Sequence, residues 1–300
     1  MSGIRVANAP CSWGVLEFDL DGQAAGYAQV LDEMAQSGYE GTELGDWGFM
    51  PTDPGALHQD LQKRNLTMLG AFVPVALADV ERHAGGVEQA LKTARLLAAV
   101  SETAFIVLAD DNGTDPARTK NAGRIRSEHK LSDEQWRTFA AGAERIARAV
   151  ADETGLRTVF HHHCAGYVET PDEVDALLTR TDSGLLGLCF DTGHYTYGGG
   201  NAVDGLKKHA DRIWHVHFKD SHLEIATQAR EQGWDYFEAV RRGVFCELGK
   251  GTVDFPAIKA QLKNHGYQGW IVVEQDVLPG MGTPIDSAKR NREYLKQLGL

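Results

Sequence analysis

Leu186-Gly187-Leu188-Cys189-Phe190-Asp191-Thr192-Gly193-His194 and, one helical segment further on, Ile213-Trp214-His215-Val216-His217-Phe218-Lys219-Asp220 share one design. Each is a short apolar run that breaks off into ionisable residues. A run without polar alternation is what a strand buried on both faces requires, and parallel sheets covered by helices bury their strands in this way. The ionisable residues then fall at the C-terminal ends of the strands, the face on which α/β barrels carry their active sites.

Working outward from these stretches, eight runs of this kind are found: Ile4–Ala9, Glu40–Leu44, Thr67–Phe72, Phe105–Ala109, Arg157–His161, Leu186–Asp191, Ile213–Phe218 and Ile271–Glu274. Amphipathic segments lie between them, as repeated βα units demand, and eight units point to closure. The expected fold class is therefore α/β, a (β/α)₈ TIM barrel forming a single domain over residues 1–300. Helix starts support it. Ser132-Asp133-Glu134-Gln135 reads as a capping box ahead of Trp136, Phe139, Ala143, Ile146 and Val150, which share one helical face. Thr170-Pro171-Asp172-Glu173 and Thr283-Pro284 place a cap and a first-turn proline before two more helices. Two connections exceed ordinary loop length, near residues 110–131 and 221–251, and are expected to be functional or partly helical insertions.

Composition narrows the functional classes. A formal charge of −12 lacks the clustered cations that nucleic acid or an anionic membrane surface would need, and no apolar stretch is long enough to span a bilayer. Cys11, Cys164, Cys189 and Cys246 form no C-x-x-C pair, so reduced thiols are expected. The N-terminus enters a strand run directly, without the features of a signal peptide, which makes the cytoplasm the default compartment. The partner expected is a small polyhydroxylated substrate, with a homo-oligomer compatible with everything above.

Four consecutive strand runs end in candidate ligands: His161-His162-His163, Asp191 followed by His194, His215-Val216-His217 with Lys219, and Glu274. Alternation along a strand lets His215 and His217 share one face, and likewise His161 and His163. Imidazole nitrogen mixed with carboxylate oxygen suits Mn²⁺, Co²⁺, Zn²⁺ or Fe²⁺ better than Ca²⁺ or Mg²⁺. For Asp191, His217 and Glu274, burial at the end of an apolar strand favours a functional role, since an unpaired buried charge is costly. His162 and His209 are expected to be hydrogen-bonded core residues, and Cys189 core packing. Glu43 could bind a substrate hydroxyl or act as a base, and Trp13 could wall a sugar ring. No G-x-S-x-G elbow or phosphate-binding loop is present.

At Asp191-Thr192-Gly193-His194, His215–Asp220 and Gly249-Lys250-Gly251-Thr252-Val253-Asp254-Phe255, the chain resembles the xylose-isomerase-like sugar isomerase/epimerase superfamily. Tyr39–Gly45, His161-His162-His163 with Val168-Glu169-Thr170, the Phe237–Phe245 stretch and Gly266-Tyr267-Gln268-Gly269-Trp270 make it similar, within that superfamily, to the inosose dehydratases. The resemblance implies one metal held by Asp191, His217 and Glu274. It departs at the fourth position, where the epimerases resembled carry glutamate and this chain has histidine, taken as His161. Two-base epimerisation would lack one carboxylate, whereas dehydration of a polyhydroxylated ketone such as 2-keto-myo-inositol needs a single base and an acid. That reading gives Glu274 as ligand and base, His161, His163 or His194 as acid, and Lys219 as a stabiliser of enolate charge, with His194 and Lys219 also in contact with substrate. The resemblance further implies Mn²⁺ or Co²⁺ and admits a glutathione requirement. An isomerase or epimerase of ketoses or inososes and a non-catalytic carbohydrate-binding barrel are the competing readings.

Overall fold

The computed structural model describes residues 3–15, 25–278 and 280–300. The apolar runs form eight parallel strands: β1 (Ile4–Asn8), β2 (Gly41–Glu43), β3 (Thr67–Pro74), β4 (Phe105–Ala109), β5 (Arg157–His161), β6 (Leu186–Asp191), β7 (Ile213–Phe218) and β8 (Gly269–Val273). They close into a barrel in the order β1-β8-β7-β6-β5-β4-β3-β2, the last seam being the pairing of Asn8 with Thr42. The chain is a (β/α)₈ TIM barrel.

Strand alternation sorts the side chains into two cores. Ala7, Leu69 and Val272 pack together inside the barrel, and Phe105, Val107, Val159 and Cys189 form a second cluster there. The intervening residues, among them Ile106, Leu108, Phe160, Leu188, Phe190 and Val216, point outward into the main core beneath the helices. Helix Asp133–Thr154 shows how that layer is specified: Trp136, Phe139, Ala143, Ile146 and Val150 are all buried on one face. Ser132 caps it reciprocally, accepting from the Gln135 N–H at 3.3 Å while its own N–H donates to Gln135 Oε1 at 2.9 Å. At Thr170 only half of such a box exists. Glu173 reaches back to the Thr170 N–H at 2.9 Å, while the threonine hydroxyl finds no partner among the described residues.

Residues 110–131 contain a short helix, Pro116–Lys120, and a 3₁₀ turn, Ser127–His129. Residues 221–251 hold helices Leu223–Gln232 and Tyr236–Arg241 and a ribbon in which Asp220–Ser221 pairs antiparallel with Phe245–Cys246. The two segments are stitched together over the barrel mouth. Arg124 donates to the Trp234 carbonyl at 2.8 Å, and Arg230 to the Gly123 carbonyl at 2.9 Å. Beneath them a fully buried Arg118 forks onto Glu173 at 2.7 and 2.9 Å and also donates to the Gly166 carbonyl at 2.8 Å. Among the described residues no helix is long and apolar enough to cross a membrane.

Candidate active site

Inward parity, carried one step past the barrel core, builds the site. Two residues beyond inward-facing Val159, Cys189, His215 and Val272 stand His161, Asp191, His217 and Glu274, so each strand delivers its ionisable side chain to the axis. Their ligand atoms lie within 4.8 Å of one another, and all four residues are buried. His161 Nε2 is 3.6 Å from Asp191 Oδ2, and His217 Nδ1 is 3.9 Å from the same oxygen and 3.2 Å from Glu274 Oε1.

The surroundings aim these atoms. Asp191 caps the following helical turn, its Oδ1 accepting from the His194 N–H at 2.7 Å, and its own N–H donates to His162 Nε2 at 3.1 Å. That leaves Oδ2 toward the centre. Glu43 Oε1 lies 2.9 Å from His217 Nε2 and 2.7 Å from His215 Nε2, so one carboxylate oxygen receives both rings and His217 presents Nδ1 inward. His161 Nδ1 and Nε2, Asp191 Oδ2 and His217 Nδ1 are buried without a hydrogen-bond partner among the described residues. Buried polar atoms are normally satisfied, and three of these, His161 Nε2, Asp191 Oδ2 and His217 Nδ1, face one another as the ligands of a divalent cation would. The donor set, two imidazoles and two carboxylates, suits the same ion.

Charge agrees with geometry. Burial holds the His161 imidazolium down to about 3, which keeps its lone pair free at neutral pH. Burial also opposes charge on His217, yet Cys189, Glu274 and Glu43 around it push its pKa well above the ordinary value. Cys189 lies close enough to His161 and His217 to join them, but burial drives its thiol up to about 12, so it remains protonated packing.

The other sequence-derived candidates divide. A cavity open at the mouth is lined by His161, His163, His217, Lys219 and Glu274 together with Phe72, Tyr236 and Asp276. Lys219 Nζ is 3.2 Å from Asp276 Oδ1 and 3.4 Å from both Glu274 Oε2 and His194 Nε2. Gly193 lets its stem pass, because a Cβ there would stand 2.6 Å from Lys219 Cγ. Three expectations are corrected. Trp13 does not wall the cavity: its indole N–H donates to Glu33 Oε2 at 2.6 Å, which turns the ring toward helix Tyr27–Gln36. Glu43 touches the cavity, but its Oε1 is taken by His215 and His217, a service the sequence reading did not give it. His194 stands behind His163, ring centroids 3.8 Å apart, and not on the cavity wall. Sequence reasoning missed Asp276 and Tyr236. For Asp276 a signal existed, since it lies two residues past Glu274 at the same strand end. Tyr236 sits within the long 221–251 segment, where no periodicity indicates an inward direction.

A (β/α)₈ barrel whose strands β5 to β8 bring together two histidines and two carboxylates that could hold a metal ion is thereby defined. The chain belongs to the xylose isomerase-like TIM barrel family, whose profile matches residues 31–298. Among curated relatives, it is 34% identical to an inosose dehydratase of Geobacillus kaustophilus over 98% of this chain and 94% of that protein. It is 33% identical to one of Bacillus licheniformis, covering 96% and 93%. Solved structures share the fold. A probable 3-DHS dehydratase, AsbF, of Bacillus anthracis superimposes with a TM-score of 0.72 at 15% identity, covering 98% of this chain and 99% of that one. A D-allulose 3-epimerase from Methylomonas does so with a TM-score of 0.70 at 21% identity, covering 98% of both chains.

Proposed function

We propose that this protein is a metal-dependent hydro-lyase that removes water from 2-keto-myo-inositol, or inosose, a polyhydroxylated cyclic ketone. The observation that carries the reading is His161 at the end of β5, where a two-base epimerase would need a carboxylate. The inosose dehydratase relatives, aligned over nearly the whole chain, support the substrate. An ion held by His161, Asp191, His217 and Glu274 would polarise the ketone and so acidify the adjacent C–H. The mixed nitrogen and oxygen donors suit Mn²⁺ or Co²⁺, and glutathione is carried as an accessory requirement to be tested.

The chain's own groups then take defined parts. His163 donates from Nδ1 to the Cys164 carbonyl at 2.6 Å, which fixes the tautomer and leaves the Nε2 lone pair on the cavity wall. His163 is accordingly the base that takes the α-proton, not the acid. Glu274 is a ligand rather than a base, because Oε1 faces His217 and Oε2 faces Lys219. Lys219, kept cationic by Asp276 and Glu274 in spite of burial, offsets the negative charge that develops on the enolate. Phe72 supplies an apolar wall for the ring.

The test is direct. Protein loaded separately with Mn²⁺, Co²⁺, Zn²⁺ and Fe²⁺ is mixed with 2-keto-myo-inositol, with and without glutathione, and the ultraviolet absorbance of the dione product is followed. Turnover with at least one ion is expected. Silence with all four, or exchange of solvent deuterium into substrate without loss of water, overturns the reading.

A further inference from the structure

His163 can take a proton at Nε2, but dehydration also needs a proton delivered to the departing hydroxyl, and the groups named so far leave that step unassigned. Lys219 is held between Glu274 and Asp276, and His194 stands behind His163. One hydroxyl on the cavity wall meets His163 at the right atom. Tyr236, the first residue of helix Tyr236–Arg241, places its phenol oxygen 3.4 Å from His163 Nε2, the rings meeting edge to face with centroids 5.5 Å apart. Since the His163 proton sits on Nδ1 toward the Cys164 carbonyl, the phenol is the donor in this contact.

The phenol is held in place from several directions. Tyr236 packs in a cluster with Cys164, Tyr197 and Phe245, and Asp235 caps the turn that begins with it, accepting from the Glu238 N–H at 2.8 Å. The preceding carbonyl, that of Trp234, is fixed by Arg124 from the neighbouring segment. The side chain is buried, yet it belongs to the cavity wall.

We propose that Tyr236 is the catalytic acid, and that with His163 it forms a relay carrying the abstracted proton to the leaving group. This rests on the dehydratase reading above. As the Tyr236 O–H turns from His163 Nε2 to the departing hydroxyl, the freed Nε2 lone pair takes the proton from the carbon next to the ketone. The C–H electrons pass toward the ketone oxygen as an enolate, and on its collapse they form the new C=C bond as the C–O bond of the β-hydroxyl breaks. The departing oxygen takes the Tyr236 O–H proton and leaves as water, and the phenolate oxygen takes the proton from His163 Nε2. Both side chains return to their starting states, and no outside acid, base or oxidant is consumed. Because one residue pair handles both protons, the hydrogen and the hydroxyl leave from the same face of the ring.

The experiment separates the two halves of the reaction. In D₂O, with the ion-loaded protein, α-deuteration of recovered 2-keto-myo-inositol reports proton removal, and dione absorbance reports water loss. For Tyr236→Phe we expect water loss to fall at least about 100-fold, the scale of a positioned general acid, while deuteration proceeds at a rate within about threefold of wild-type turnover. His163→Gln should abolish both. Replacement of Tyr236 by 3,5-difluorotyrosine, nearly isosteric and more acidic, keeps the question open to test if Tyr236→Phe misfolds. It should move the alkaline fall in water loss to lower pH. Water loss by Tyr236→Phe within threefold of wild type, an unmoved alkaline limb in the fluorinated protein, or loss of deuteration together with water loss in Tyr236→Phe would each overturn the assignment while wild type continues to turn over. An inactive wild type overturns the dehydratase reading and the relay with it.

Discussion

Replacing Glu43 with alanine tests whether this carboxylate serves the metal site. Its Oε1 receives the Nε2 atoms of His215 and His217 at 2.7 and 2.9 Å, and all three side chains are buried. The substitution leaves two buried ring N–H groups without an acceptor, at about 1–3 kcal/mol each, so the folded state should lose about 2–6 kcal/mol. It also frees the His217 ring to turn, and loss of such an orienting partner typically weakens metal binding about 10–100-fold. Glu43→Gln keeps an acceptor oxygen in the same place and should recover most of the affinity. Calorimetric titration of Mn²⁺ and Zn²⁺ into wild type, Glu43→Ala and Glu43→Gln, paired with urea denaturation of each ion-free protein, measures both quantities. Unchanged metal affinity in Glu43→Ala, with the loss confined to substrate KM, would refute the reasoning and return Glu43 to the role of a hydroxyl-binding residue.

Three more outcomes follow from the same geometry. Arg118→Met strands Glu173 in a fully buried position and should cost about 3–5 kcal/mol in chemical denaturation, since breaking one side of a buried pair leaves an uncompensated charge. Burial lifts Glu169 from 4.5 to about 7, so the folded state holds its proton where the unfolded chain has released it. The stability this confers is intact below pH 4.5 and is lost as pH rises toward 7. The advantage of Glu169→Gln over wild type should therefore grow by up to about 3 kcal/mol between pH 4 and pH 8 in paired urea titrations. A divalent ion at 100 times its Kd should stabilise wild type by about 2.7 kcal/mol, reversed by chelator, whereas His217→Ala should show no such thermal shift.

The barrel was legible because its signal is repetitive. Phe105–Ala109, Arg157–His161, Leu186–Asp191 and Ile213–Phe218 have the same limits in sequence and structure. The eighth strand starts earlier than the expected Ile271, since Gly269 and Trp270 already pair with Ile4 and Arg5. Parity put His215 with His217 and His161 with His163, while the joint set of His161, Asp191, His217 and Glu274 was what the family resemblance implied. What failed was everything decided by a partner distant in sequence. Glu43 is captured by histidines some 170 residues away, separations of 172 and 174, and Trp13 is turned by Glu33 on a helix. His163 was identified, but its part as a base depends on a ring nitrogen bound to a backbone carbonyl, which residue type does not encode.

The proposed ion ligands stand at strand ends, while Tyr236 arrives on a connecting segment that adds no staves to the barrel. Binding of the cation and disposal of the leaving group are therefore separately adjustable. The segment between β7 and β8 could be exchanged, shortened or diversified in a library while the strand register that assembles the cation site stays intact. For protein engineering this makes residues 221–251 the place to seek new leaving groups without rebuilding the centre.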